Sequence, residues 1–259
     1  MKLASYADGS RDGHLVVVSR DLSQAHFATG IATRLQQVLD DWGFLAPQLE
    51  TLAIQLNQGQ LRHAFDFNPA QCMAPLPRAL GWAMVAGDAV QHGPGDFLGP
   101  TEAQVARAGA APTAHPHLAL ICGDLPGGSD AASARDALRL VSLALDWRLG
   151  GNSLATQFAP VAVTPDELGP AQPWDARAVV RHNGQPLATQ DLRSLPLSPG
   201  DALARMARLR RLRAGQVVGV AWGALDVALS PGDHLHWALR TADGASACGA
   251  IDLDLEIPA

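Results

Sequence analysis

The 259-residue chain is 47% hydrophobic and 17% charged, with a formal net charge of −6. That balance suits a chain able to bury a sizeable core and excludes a disordered one. Its Lys/Arg residues gather only at Arg205, Arg208, Arg210, Arg211 and Arg213, in what reads as a short helix. A solvated face is the plainer account of that cluster, so neither a nucleic acid nor a membrane is expected as partner. No apolar run would cross a bilayer, and the first residues lack the apolar stretch of a signal peptide. Cys72, Cys122 and Cys248 are odd in number and scattered among small or apolar neighbours, which predicts reduced core thiols in a cytoplasmic protein.

In chain order, His14 to Ser19 is a β-rich run between turn dipeptides. Ile31, Leu35, Val38, Leu39 and Trp42 recur at helical spacing, and Pro47 suits the first turn of a second helix that stops at Asn57-Gln58-Gly59-Gln60. Residues 66 to 80 are proline-bearing and read as an extended linker, giving expected units 1–73 and 74–259. A strand is expected from His117 to Cys122, then a turn at Gly127-Gly128-Ser129 and an alanine-rich helix over 131–139. The segment 140–145 fits either a helix or a buried strand. Asn183-Gly184 between two alternating runs predicts a hairpin with a type I′ turn. A short helix opens at Ser198, a buried strand covers 217–222, and strands from His234 and after Asp243-Gly244 close the chain. Runs of strands with helices inserted predict an α+β fold.

Six segments in order, HLVVVSRDLSQA (14–25), APLPRALGW (74–82), GDFLGP (95–100), PVAVTPDELG (160–169), NGQPL (183–187) and PGDHLHWAL (231–239), resemble the fumarylacetoacetate hydrolase family of bacterial catabolic type. The resemblance spans nearly the whole chain. It implies a small N-terminal SH3-like β-barrel unit followed by a mixed β-roll domain, assembled as a homodimer. It also implies hydrolysis, decarboxylation or isomerisation at C–C bonds of oxo-acids around a divalent cation in a carboxylate cage.

Residue by residue, much of that equipment is replaced. His115 and His117 stand where the family's paired glutamates would lie, and Asp146 stands at the third carboxylate. The piece that carries the family's water-activating histidine and lid helix is reduced to Ala83–Asp96. Gln91 there matches a substrate-contacting glutamine, while His92 carries no role over. No lysine lies near Ser153 to Gln157, Lys2 being the chain's only one, and Ala221-Trp222 replaces the family's threonine. Trp147 and Trp222 are expected to fill the former pocket.

His115, His117 and Asp146 would suit a rebuilt site for Zn, Fe or Mn rather than Mg, because imidazole is a poor ligand for Mg²⁺. The alternative is a decayed cage with no metal, its residues making ordinary hydrogen bonds. No residue is assigned as catalytic. The favoured expectation is a divergent family member impaired in metal-dependent hydrolysis, with a small oxo-acid as ligand. An active enzyme with the rebuilt site, and a structural subunit in a heterodimer with an intact family member, are the other readings. His234 and His236 are expected as surface positions on a half-exposed strand.

Overall fold

The computed structural model describes residues 1–102, 112–170, 172–222 and 227–255. The chain opens with β1 (Lys2–Tyr6), β2 (His14–Val18) and β3 (Gln24–Phe27). In β2 both faces are buried, Leu15 and Val17 in one core and Val16 and Val18 in another. The helical spacing that follows resolves into α1 (Leu35–Asp40) and α2 (Trp42–Asn57). Pro47 therefore lies inside α2 rather than in its first turn, and forgoes the amide bond that position would make. The stop comes where the sequence places it. Gly59, at φ +69, donates to Leu56 O and Gln60 donates to Gln55 O, both at 3.0 Å, which closes α2 as a Schellman motif.

After β4 (Phe65–Asp66) the expected linker runs bonded along β1. Ala7 N–H donates to Gln71 O and Met73 N–H donates to Ser5 O, each at 2.9 Å. Then come β5 (Trp82–Ala86), β6 (Ala89–His92), β7 (Phe97–Leu98), β8 (Thr113–Cys122), α3 (Ala131–Asp136), β9 (Leu138–Leu149), β10 (Asn152–Phe158) and β11 (Ala162–Val163). The ambiguous segment 140–145 is thus strand, and α3 ends three residues before Arg139. The last third holds β12 (Ala176–His182), β13 (Gln185–Asp191), α4 (Pro199–Leu209), β14 (Val217–Ala221), β15 (Val227–Ala228), β16 (His234–Thr241) and β17 (Ser246–Asp254). Asn183 and Gly184 have φ of 51° and 75°, the pair of positive values a type I′ turn requires. Of the arginine cluster, Arg205 and Arg208 lie on α4, Arg210 caps it, and Arg211 and Arg213 follow it.

The described strands form two sheets. One runs β4-β3-β2-β1-β11-β9-β8-β14-β5-β6, with β10 beside β9, β7 beside β10 and β15 beside β8; the other runs β13-β12-β16-β17. This is the α+β architecture expected. The N-terminal strands are one end of the large sheet, and among the described strands they close no barrel of their own. Pro116, inside the central strand β8, sits where its neighbour changes. β14 pairs with His117 to Ile121 and β15 with Thr113 and Ala114, so the missing N–H faces a break in the ladder.

The large sheet separates two cores. Leu118, Leu120, Leu143, Leu145, Val218 and Val220 pack with Trp237 and Ile251 of the second sheet. Ala119, Ile121, Leu140, Ala144 and Val217 pack with Leu35, Val38 and Leu49 of α1 and α2. Lys2 joins the first strand to the last: its buried Nζ donates to Ser246 O at 2.7 Å and Ala247 O at 2.8 Å, and burial lowers its pKa. Lys2→Met leaves those carbonyls unpaired and is expected to cost about 1–3 kcal/mol. Urea denaturation would show this as a lower midpoint at unchanged slope.

Candidate functional site

β8 and β9 pair antiparallel, with Thr113 opposite Arg148, His115 opposite Asp146 and His117 opposite Ala144. Directly opposed residues share a face, so all of these point to the side of the sheet that packs toward α1 and α2. β10 extends the rows, Ser153 opposite Arg148 and Thr156 opposite Asp146. On the other side, β14 sets Ala221 opposite His117, β5 brings Trp82 and Met84, and β6 sets Gln91 opposite Met84.

Asp146 is fully buried. Arg148 Nε donates to its Oδ2 at 2.5 Å, and the Ser153 hydroxyl donates to its Oδ1. Arg148 Nη2 also reaches Gln91 Oε1 at 3.3 Å and Met84 Sδ at 3.5 Å. His115 Nε2 is hydrogen-bonded with Thr113 Oγ1 at 2.9 Å. His117 differs from all of these. It is only 2% exposed, and neither ring nitrogen has a partner among the described residues. Trp82 meets its ring edge-on at 5.8 Å and meets Phe158 the same way. Burial pushes the His117 pKa down to about 3, with the charges of Arg148 and His115 adding to the effect. At neutral pH it is an uncharged imidazole.

Trp82 holds this place because two glycines leave room for it. A Cβ on Gly93 or on Gly219 would run into the indole ring. The two tryptophans expected to fill the pocket lie on the opposite face. Trp147 donates from Nε1 to Gln157 at 3.0 Å, and Trp222 packs edge-on against Trp237 at 5.6 Å. Gln157 in turn donates to Gly99 O at 2.9 Å, which pins the FLGP segment to β10.

The N-terminal part, residues 1–78, matches the family model described as fumarylacetoacetase N-terminal domain 2, and residues 127–247 match that of the fumarylacetoacetate hydrolase C-terminal domain. The chain belongs to the fumarylacetoacetate hydrolase family. Among solved structures, maleylpyruvate hydrolase from Sphingobium sp. SYK-6 is 17% identical, with 100% of each chain covered and a TM-score of 0.80; one structure of it holds manganese(II) and pyruvate. Fumarylacetoacetate hydrolase from Exiguobacterium antarcticum is also 17% identical over 100% of both chains, with a TM-score of 0.73. A probable 2-hydroxyhepta-2,4-diene-1,7-dioate isomerase from Mycobacterium abscessus is 13% identical over 100% of this chain and 98% of its own, with a TM-score of 0.79. These likenesses show the fold. No curated protein matches the sequence significantly.

The divalent cation implied by the fumarylacetoacetate hydrolase family does not fit the described residues. Among the described residues, no group of three or more His, Cys, Asp or Glu is placed to hold an ion. His115, His117 and Asp146 share a face but do not converge. Asp146 faces a guanidinium, His115 bonds with Thr113, and His117 is buried edge-on to Trp82. Gln91 does join the site, through Arg148. Arg148 itself went unread in the sequence, although an acid and a base two apart on one strand must share a side.

Two measurements check this arrangement. The folded-state pKa of His117 lies below its ordinary value, so as pH falls from about 6.5 the unfolded chain takes up the proton first and stability declines. At pH 4.5 that loss is about 2–3 kcal/mol, and His117→Leu is expected to lack it in denaturant melts at pH 7 and 4.5. Equal losses in both proteins would show an imidazole already protonated in the fold. Gly219→Ala is expected to cost about 1–3 kcal/mol by overpacking against Trp82, with recovery in the double variant carrying Trp82→Leu as well.

Proposed function

We propose that this protein is a fumarylacetoacetate hydrolase family member impaired in metal-dependent C–C cleavage, which binds a small oxo-acid without turning it over. One observation carries the reading: Asp146, the single cage carboxylate left, is taken up by Arg148 and Ser153. Among the described residues, three further features support the reading. A general base works best with a pKa near the operating pH, and His117 sits near 3 behind Trp82. The only lysine, Lys2, is held at the carbonyls of Ser246 and Ala247. Ala83–Asp96, where the resemblance expects a base and a lid, is mostly the hairpin of β5 and β6.

An oxo-acid is the ligand class favoured because a similar fold, the Sphingobium maleylpyruvate hydrolase, has been seen with pyruvate, and because a guanidinium, an amide and hydroxyls face one another here. Arg148, Gln91, Ser153 and Thr113 would bind and orient such a ligand. The three free, buried cysteines accord with a reducing cytoplasm.

Assays of acylpyruvates and oxaloacetate with added Mg²⁺ or Mn²⁺ test the proposal. Turnover no faster than the buffer rate is expected. Metal-dependent turnover abolished by Asp146→Asn would favour the rebuilt enzyme site instead.

A further inference from the structure

We propose that Arg148 is the resident cation of this site: its guanidinium stands in for a divalent ion, and carboxylate binding here needs no metal. The inference rests on the reading that Asp146 no longer serves a metal, and goes beyond it by assigning the group that took the metal's place.

Strand alternation puts Asp146 and Arg148 on one face of β9, and the fold closes them into a pair, Nε to Oδ2 at 2.5 Å. Asp146 is wholly buried and the Arg148 side chain is 19% exposed, so the cation reaches solvent where the anion does not. A guanidinium carries five N–H donors in a planar fork. One is taken by Asp146. Nη2 makes only the longer contacts to Gln91 and Met84, and Nη1 makes no hydrogen bond among the described residues. That leaves donors in the geometry a carboxylate accepts in bidentate fashion.

The charges decide between the two cations. Asp146 and Arg148 offset each other's charge, so a divalent ion at Asp146 would face the positive charge of Arg148, with no free carboxylate beside that pair among the described residues. A hard cation wants six or more oxygen ligands, several of them charged. A small carboxylate meets a permanent positive charge, because arginine does not lose its proton in proteins. A guanidinium also cannot ionise a bound water as a metal can, so the site binds and orients without producing a hydroxide.

The test uses full-length protein, with oxalate and Mn²⁺ as separate probes. Calorimetric titration with oxalate is expected to give the same affinity with and without EDTA. Affinity should fall at least tenfold in Arg148→Gln and be partly retained in Arg148→Lys. In a separate titration, the electron paramagnetic resonance signal of Mn²⁺ should remain that of the free ion. The assignment is overturned by one equivalent of bound Mn²⁺ that is released in Asp146→Asn. It is equally overturned if oxalate does not bind, binds only with Mn²⁺, or binds unchanged in Arg148→Gln. Circular dichroism checks the fold of each variant; should Arg148→Gln fail to fold, Arg148→Lys and the Mn²⁺ titration decide. Turnover of an acylpyruvate in EDTA would remove the impaired-enzyme reading and leave this assignment standing. Mn²⁺ binding without turnover would do the reverse.

Discussion

The pairing of β8 with β9 is buried on both faces, and each polar side chain built into it must find its partner inside the protein. Leaving a buried hydroxyl unpaired costs about 1–3 kcal/mol, and an unpaired charge costs far more. Ser142 meets the demand by donating to Val161 O at 2.9 Å. Asp146 meets it with Arg148 and Ser153. His117 finds none among the described residues, and its burial lowers its pKa so that it stays uncharged. The chemistry available to this face follows from how those three cases were resolved.

The same constraint places the site in the fold. Toward α1 and α2 the middle of the sheet carries small residues, Ala119, Ala144 and Ala221, with Gly219 among them. These leave a hollow that an aromatic ring can fill, and Trp82 fills it from β5. Its indole reaches across Gly219, is flanked by Gly93, and shields His117. Beyond it, at Arg148 near the end of β9, the sheet meets solvent. A buried anion at the inner end and a partly exposed cation at the outer end give the row a direction, from packed interior to solvent edge.

Local signals were legible where turn or cap chemistry decides the matter. Asn183-Gly184 admits little but a type I′ hairpin, Gly59 ends α2, and Ser198 caps α4, its hydroxyl accepting from Asp201 N–H at 3.1 Å. Residues 140–145 were not legible, because a strand buried on both faces loses the alternation that would distinguish it. Pro47 misled, because a good first-turn residue is tolerated one turn later. At the site, the resemblance pointed to His115 and His117 on β8 and Asp146 on β9, which pair, and to Gln91, which lies three strands from β8 on β6 and meets Arg148. What it could not supply was their bonding. Arg148 belongs to no motif, and its role appears only when β9 is folded beside β8 and β10. The choice of Trp82 over Trp147 and Trp222 likewise depends on face, which a one-residue offset inverts.

Arg148 also explains the state of its neighbour. Removing one partner of a buried ion pair generally costs about 3–5 kcal/mol, so the guanidinium is held in place by the burial of Asp146 as firmly as Asp146 is held by it. From there its charge adds to burial in keeping His117 neutral. One group thus meets two neighbours, pairing directly with the carboxylate and adding its charge to the burial that lowers the imidazole's pKa. A metal ion could exert the same field, but it would need ligands that the described residues of this face do not offer, and its charge would leave whenever it dissociated. A guanidinium on a strand cannot leave. The trade is permanence for reactivity: the positive charge persists at every pH the fold tolerates, and it comes without a bound water to ionise.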